Sequence, residues 1–73
     1  MRNRLKVLRA EHGWSQAYLA ELLDVSRQTV NAIEVGKYDP SLPLAFKIAK
    51  VFGQKMEDVF FPEDDEPGEM VAE

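Results

Sequence analysis

The stretch SQAYLAELLDVSRQTVNAIEVG, from Ser15 to Gly36, holds two short segments in which apolar residues recur at helical spacing. These apolar residues are Leu19, Ala20, Leu23, Val30 and Ile33. Residues three or four apart lie on one face of a helix, so each segment predicts an amphipathic helix with one buried side. Ser15 and Ser26 can cap the two helix N-termini, and Gly36 can end the second helix. The stretch therefore predicts two helices joined by a short link at Asp24 and Val25.

The same helical spacing continues on both sides of this stretch. It predicts a first helix over about residues 3–12 that ends at Gly13, and a fourth helix from Ser41 to Gly53. A short fifth helix over Lys55–Phe60 would close the core. The predicted core residues outside the opening stretch are Leu5, Leu8, Trp14, Ala45, Ile48, Ala49, Phe52, Met56, Val59 and Phe60. No segment alternates with period two for long enough to predict a strand, so we expect an all-α, compact five-helix bundle.

The composition excludes several classes of protein. With 73 residues, the chain is long enough for one domain only. It has no cysteine, which excludes disulfides and cysteine-based zinc sites and suits a reducing cytoplasm. No run of about 18 apolar residues is present, so no segment is expected to cross a membrane. The basic N-terminus lacks the continuous apolar stretch of a signal peptide, and we expect a cytoplasmic protein.

Charge is distributed unevenly along the chain. The formal net charge is −4, yet residues 1–61 contain nine basic and seven acidic residues, a net charge of +2. Residues 62–73 contain the other six acidic residues and no basic one. This composition, together with two prolines and one glycine in the last segment, predicts a mildly basic domain at 1–61 and an acidic, largely disordered tail at 62–73.

The acidic tail allows two interpretations. If the basic domain binds nucleic acid, the carboxylates of the tail could compete with phosphate for its basic residues, because non-specific affinity for nucleic acid is mainly electrostatic. Alternatively, the tail serves only the solubility of the chain. Residues 63–66 form an acidic cluster that lacks the ligand spacing and the glycine of a calcium loop, so no metal ion is expected there.

The third predicted helix carries an outward face without any acidic residue. With Val30 and Ile33 turned toward the core, helical geometry defines this face and its flanks. They consist of Arg27, Gln28, Thr29, Asn31, Ala32 and Val35. Arginine can pair with guanine, an amide side chain can pair with adenine, and a small apolar residue can meet the thymine methyl group. The free N–H groups at the helix N-terminus can bind a phosphate. The face therefore suits DNA.

The sequence resembles a known family. Residues 15–41, SQAYLAELLDVSRQTVNAIEVGKYDPS, look like the phage-repressor and Cro-type helix-turn-helix proteins, also called the xenobiotic-response-element type. The resemblance extends over residues 4–60. The residues in the register of that family are Leu5, Leu8, Arg9, Gly13, Ser15, Gln16, Leu19, Ala20, Val25, Ser26, Ile33, Glu34, Gly36, Lys37, Pro40 and Ser41. Both ends of the domain are similar to those of small stand-alone prokaryotic regulators, which implies a Cro/repressor-type DNA-binding domain at 1–61.

The resemblance implies a role for particular positions. Residues at the base-reading positions of the family are Arg27, Gln28 and Ala32, with Thr29 and Asn31 beside them. Residues at its phosphate-contacting positions are Ser15, Gln16, Lys37 and Tyr38. In the family, the residue matching Gln16 also braces the recognition helix. Ala32 departs from the more polar residues often found at its position, which leaves a contact with a thymine methyl group there.

A charged residue stands beside the buried face on each of two predicted helices. Arg9 lies four residues after Leu5, and Glu34 lies four residues after Val30. An unpaired charge in either place would be unfavourable. Since the family pairs these two positions, we predict a partly buried Arg9–Glu34 ion pair that fixes the first helix against the third.

These observations predict a sequence-specific, double-stranded DNA-binding transcriptional regulator, acting as a repressor, that reads the major groove with residues 26–35. Because one small domain offers a small interface, the family usually dimerises on two half-sites about one helical turn apart. We therefore expect a homodimer. The apolar residues that fall off the predicted core and could form its interface are Val7, Leu22, Leu44, Val51 and Phe61.

The alternative to DNA binding is a protein-interaction module on the same fold, as an antitoxin or anti-repressor component. Enzymatic function is not expected, because the sequence has no nucleophile–base pair, no metal-ligand set and no phosphate-binding glycine loop. Its single histidine, His12, stands at a predicted helix C-terminus, where a structural role is expected. We expect no catalytic residue, cofactor, metal ion or small-molecule ligand.

Overall fold

Five helices and one pair of short strands make up the part of the chain that the computed structural model describes, residues 1–62. In chain order they are β1 (Arg2–Asn3), α1 (Leu5–His12), α2 (Gln16–Leu23), α3 (Arg27–Glu34), α4 (Leu42–Phe52), α5 (Met56–Val59) and β2 (Phe60–Phe61). The predicted five-helix architecture is confirmed. None of these described helices is long and apolar enough to cross a membrane. The predicted acidic tail, apart from Pro62, lies outside the described residues.

Three serines cap helices as their positions predicted. In each case the serine Oγ accepts a hydrogen bond from the backbone N–H three residues later. The bonds run from Tyr18 N to Ser15 Oγ at 3.0 Å, from Thr29 N to Ser26 Oγ at 3.0 Å, and from Leu44 N to Ser41 Oγ at 3.3 Å. Each cap pairs a backbone N–H group that the helix itself leaves without a partner, and so fixes the residue at which the helix begins.

Three helices end at a residue with left-handed backbone conformation. Gly13 ends α1 and Gly53 ends α4, as predicted. Asp24 ends α2 with a φ of 60°, and it is the one non-glycine residue of positive φ within residues 1–62. The sequence predicted only a link at this position, because aspartate enters the left-handed region far less often than glycine. The conformation of Asp24 ends α2 sharply, and α3 begins three residues later.

The helices enclose one apolar core. Its buried residues are Leu5, Leu8, Leu19, Ala20, Leu23, Val30, Ile33, Ile48, Ala49, Phe52 and Val59, with Ala45 also buried. All of these were predicted. Trp14, Met56 and Phe60 were also predicted in the core, but they are only partly buried and pack against its edge. Because α5 has only four residues, it buries a single one of them completely, Val59.

The strands β1 and β2 pair as an antiparallel ribbon that joins the two ends of the domain. Arg2 stands opposite Phe61, and Asn3 stands opposite Phe60. The prediction that the chain contains no strand is therefore wrong. Two residues are too few to show period-two alternation, and the partner of each strand lies at the far end of the domain. No local pattern in the sequence indicates such a pair.

Asn3 anchors the ribbon to two helices. Its Oδ1 accepts a hydrogen bond from Leu5 N at 3.0 Å, and its Nδ2 donates one to Ile33 O at 2.8 Å. The first helix consequently begins at Leu5 and not at residue 3 as predicted, and α5 ends at Val59 because the next two residues belong to β2. The start of the chain is thereby tied to the C-terminal end of α3.

The apolar residues predicted for a homodimer interface differ in exposure. Two of them are exposed, Val7 and Leu22. Phe61 is half-buried, and Leu44 and Val51 pack against the core, so these last two are not the free surface that their spacing predicted. The most exposed apolar side chains of α4 are instead Leu42 and Phe46, at 62% and 58%.

Candidate nucleic-acid interface

The helices α2 and α3 pack against each other across the turn at Asp24. Val30 and Ile33 hold α3 to the core and are completely buried. The opposite side of α3 therefore faces solvent. The exposed residues of this helix are Arg27, Gln28 and Asn31.

A shallow cavity of about 310 Å³ lies between the start of α2 and the N-terminal half of α3. Its lining residues are Gln16, Arg27, Gln28 and Asn31. Three predicted base-reading residues are thus brought together with one predicted phosphate-contacting residue. Within residues 1–62, the Arg27 guanidinium forms no hydrogen bond or ion pair, so its N–H groups are available to a ligand. The cavity presents amide groups and one cation on a single concave surface.

Thr29 and Ala32 were also predicted to read bases, but they are half-buried and do not line the cavity. Thr29 Oγ1 lies 3.0 Å from Ser26 Oγ, the hydroxyl oxygen that caps α3. The Thr29 hydroxyl therefore belongs to the cap at the start of the helix. Both residues are therefore less exposed than we expected from their positions on the outward face of α3 and its flanks.

The remaining phosphate-contacting candidates lie at the two ends of the helix pair. Ser15 Oγ accepts the Tyr18 N–H and keeps its own hydroxyl hydrogen for donation. Lys37 and Tyr38 are exposed on the turn after α3. Their backbone N–H groups donate to Ala32 O at 2.9 Å and 3.3 Å, which holds this turn to the last part of α3.

Arg9 and Glu34 form the ion pair that was predicted between α1 and α3. Arg9 Nε lies 2.7 Å from Glu34 Oε2, and Arg9 Nη2 lies 3.2 Å from Glu34 Oε1. Arg9 Nη1 also donates to Trp14 O at 3.0 Å. The two side chains are 17% and 4% exposed. The hydrogen bond to Glu34 raises the pKa of the Arg9 guanidinium, against the opposing effect of burial, so Arg9 stays charged.

Gln16 connects this ion pair to the exposed surface of α3. Its Nε2 donates to Glu34 Oε1 at 3.0 Å and to Asn31 Oδ1 at 3.1 Å. A continuous chain of hydrogen bonds therefore runs from Arg9 through Glu34 and Gln16 to Asn31.

No group of three or more histidine, cysteine or carboxylate side chains in residues 1–62 is arranged to hold a metal ion.

A family model described as helix-turn-helix matches residues 5–59, most of the chain. The chain belongs to the helix-turn-helix family. It is 65% identical to an uncharacterized helix-turn-helix-type transcriptional regulator from Methanocaldococcus jannaschii, over 90% of this chain and 100% of that protein. It is 57% identical to another from Bacillus subtilis, over 89% and 98% of the two chains.

A solved structure agrees with this membership of the helix-turn-helix family. The crystal structure of a candidate DNA-binding protein from Bacteroides fragilis superimposes with a TM-score of 0.71 at 29% sequence identity. The match covers 80% of this chain and 94% of that one. The predicted family is thus confirmed, and the chain is a DNA-binding transcriptional regulator and not an enzyme.

Sequence reasoning found the exposed helix-turn-helix residues but missed the contact between Gln16 and Asn31. Gln16 was named for a phosphate contact and as a brace for the recognition helix, and Asn31 was named as a base reader, but the two were not predicted to bond to each other. They lie on different helices, so no spacing within one helix pairs them. The available signal was the buried acid Glu34, which requires more donors than Arg9 alone supplies.

Proposed function

We propose that the protein binds specific double-stranded DNA sequences by placing α3 in the major groove. Arg27, Gln28 and Asn31 would read base edges, with Thr29 and Ala32 beside them as minor contributors. The observation that supports this most is the concave cavity at the N-terminal half of α3, where the Arg27 guanidinium, which has no partner within residues 1–62, lies beside three amide side chains. Guanidinium and amide groups match the acceptor and donor patterns of guanine and adenine in that groove.

Contacts with the DNA backbone would come from Ser15, Lys37, Tyr38 and the backbone N–H of Gln16. Ser15 has a hydroxyl hydrogen to donate, and the first-turn N–H groups of α2 point out of the helix end. Lys37 adds a positive charge on an exposed turn. Such contacts position the protein on the duplex without reading sequence, and they make binding depend on salt.

The proposed active species is a homodimer on two half-sites, acting as a cytoplasmic, nucleoid-associated repressor. A single module covers only about 600–1,000 Å² of interface, and a second copy doubles the contact with DNA. Exposed apolar side chains that could meet a second copy include Leu42 and Phe46 of α4 and Leu22 of α2. Repression is the simplest mode of regulation for a small domain, because binding at a promoter is enough to block transcription.

Selection of bound duplexes from a random pool tests this function. We expect a palindromic consensus with half-sites about one helical turn apart. The variant Arg27→Ala with Gln28→Ala should lose the consensus and bind it at least tenfold more weakly, since each base contact contributes about 1–3 kcal/mol. Melting temperature should stay unchanged, because both side chains are exposed.

A matched control removes one cation and one amide that do not line the cavity. Gln54 and Lys55 are both exposed and lie between α4 and α5. Gln54→Ala with Lys55→Ala should keep the consensus and most of the affinity. If the first double variant bound the selected duplex like the wild type, α3 would not be the reading helix. If no duplex were selected at all, the surface would serve a protein partner.

A further inference from the structure

We infer that Glu34, acting through Gln16, fixes which polar atom of Asn31 faces the DNA and makes Asn31 a hydrogen-bond donor there. The inference rests on the proposed function of α3 and names two positioning residues for it. Neither Glu34 nor the side-chain amide of Gln16 needs to touch the DNA. The argument depends on hydrogen-bond polarity along the chain of contacts described above.

Glu34 sets the orientation of the Gln16 amide. The Glu34 side chain is 4% exposed and offers acceptors only. Its Oε1 lies 3.0 Å from Gln16 Nε2. With the amide reversed, the Gln16 oxygen would face the carboxylate and two acceptors would meet in a buried place. Gln16 must therefore present its NH₂ group to Glu34.

The same NH₂ group sets the orientation of Asn31. Gln16 Nε2 is 3.1 Å from Asn31 and, being a donor, requires the acceptor atom Oδ1 there. Asn31 consequently turns its Nδ2 away from Gln16, and within residues 1–62 this Nδ2 has no partner. Both hydrogens of Gln16 Nε2 are engaged, so the Gln16 side chain has no donor left for a phosphate.

The ligands that match Asn31 Nδ2 are therefore acceptors. They are a phosphate oxygen or, on base edges of the major groove, purine N7, guanine O6 or thymine O4. A cytosine amino group facing Nδ2 would place a donor against a donor. For Gln16, only the backbone N–H in the first turn of α2 is left to approach a phosphate.

A double-mutant cycle on DNA affinity tests this positioning role. The probe is the consensus duplex selected by the wild-type protein, and the variants are Gln16→Met, Asn31→Ala and both together. Gln16→Met keeps the length of the side chain but removes the amide. We expect it to lower affinity roughly three- to tenfold, the effect of one hydrogen bond, and to have no further effect when Asn31 is already alanine. An equal loss in both backgrounds would overturn the inference, since Gln16 would then contact DNA itself.

The duplexes selected by the variants distinguish the two sources of the acceptor. If Nδ2 meets a base, Asn31→Ala relaxes one base pair of the wild-type consensus. If it meets a phosphate, Asn31→Ala weakens all sequences equally and leaves the consensus unchanged. Failure of the wild type to select any duplex would instead contradict the proposed function, and the inference with it.

Side-chain amide exchange in the free protein gives a measurement that needs neither DNA nor a variant. The Gln16 NH₂ hydrogens should exchange with solvent several-fold more slowly than those of Gln28, which has no hydrogen-bond partner in residues 1–62. The Asn31 NH₂ hydrogens should exchange as fast as those of Gln28. Slow exchange at Asn31 together with fast exchange at Gln16 would mean the opposite polarity and would overturn the inference.

Discussion

Glu34 shows that a charged residue on the helix proposed to read DNA can stabilise the fold. Its carboxylate is 4% exposed and accepts hydrogen bonds from Arg9 and Gln16. A charge buried this deeply is tolerated only while it is paired, because its hydration has been lost. The ion pair therefore joins α1 to α3 and holds α3 in one orientation.

Glu34→Ala should lower the free energy of unfolding by about 3–5 kcal/mol, since it leaves the Arg9 guanidinium half-buried without its partner. Thermal denaturation followed by circular dichroism measures this as a fall in melting temperature of roughly 4–8 °C per kcal/mol. Because the hydrogen bond to Glu34 raises the pKa of Arg9, the contribution of Arg9 to this stability is present at neutral pH, and on the alkaline side it is lost only in strong alkali.

The matched control for Glu34→Ala is Glu21→Ala, which removes an exposed acid from α2. It should change the free energy of unfolding by less than about 0.5 kcal/mol. Replacing both Arg9 and Glu34 by methionine should destabilise less than Glu34→Ala alone, because no unpaired charge remains. A Glu34→Ala protein that melted with the wild type would show that the pair contributes nothing to stability.

At the scale of elements, the end of α2 contains a local conflict. Asp24 adopts a left-handed conformation with a φ of 60°, and it places a negative charge at a helix C-terminus. Both features are unfavourable, since an L side chain is strained at positive φ and the helix dipole repels an anion there. The tight turn between α2 and α3 retains the conformation in spite of this.

Replacing Asp24 by glycine should raise the free energy of unfolding by roughly 0.5 kcal/mol, net of the greater entropy that glycine has in the unfolded chain. Asp24→Asn removes the charge while keeping a residue that tolerates positive φ. It should raise the free energy of unfolding by a few tenths of a kcal/mol, roughly, in low salt. The β-branched variant Asp24→Val should lose about 1–2 kcal/mol. Urea denaturation measures the stability of the three variants. A glycine variant less stable than the wild type would contradict the conclusion that Asp24 is strained.

Local patterns in the sequence predict the helices well and the contacts between distant elements poorly. Val30 and Ile33 fall three residues apart, so the buried face of α3 is visible in the sequence, and so is the exposed position of Arg27. The pairing of Asn3 with Phe60 involves residues at opposite ends of the domain, where no spacing rule applies. The left-handed Asp24 was missed because its conformation is imposed by the packing of two helices and not by its own preference.

At the scale of the whole molecule, charge is divided between two regions of opposite sign. Residues 1–62 have a net charge of +2, and the remaining residues contain six acids and bring the total to −4. DNA attracts the first region and repels the second. The acidic residues can therefore weaken binding to any duplex without changing which sequence is preferred.

Ending the chain after Pro62 should raise the affinity for non-specific duplex roughly tenfold at low salt, and the gain should shrink as salt screens the charges. Fluorescence anisotropy with a duplex of unrelated sequence measures this. A full-length variant whose six acids beyond Pro62 become amides should bind like the shortened chain. If the wild-type and shortened chains bound the non-specific duplex with equal affinity, the acidic residues would not compete with DNA, and solubility would remain as their role.

The ribbon of β1 and β2 places the two ends of the domain side by side. The two ends of a surface loop in a host protein also lie close together. A domain with adjacent termini can therefore be inserted into such a loop without distorting the domain or the host. Short linkers joined at Arg2 and Phe61 would suffice. Asn3, which binds Ile33 O within α3, would then fix the orientation of the recognition helix relative to the host. The fold is thus suited to gene fusions in which a host enzyme or receptor directs where the helix-turn-helix domain is presented.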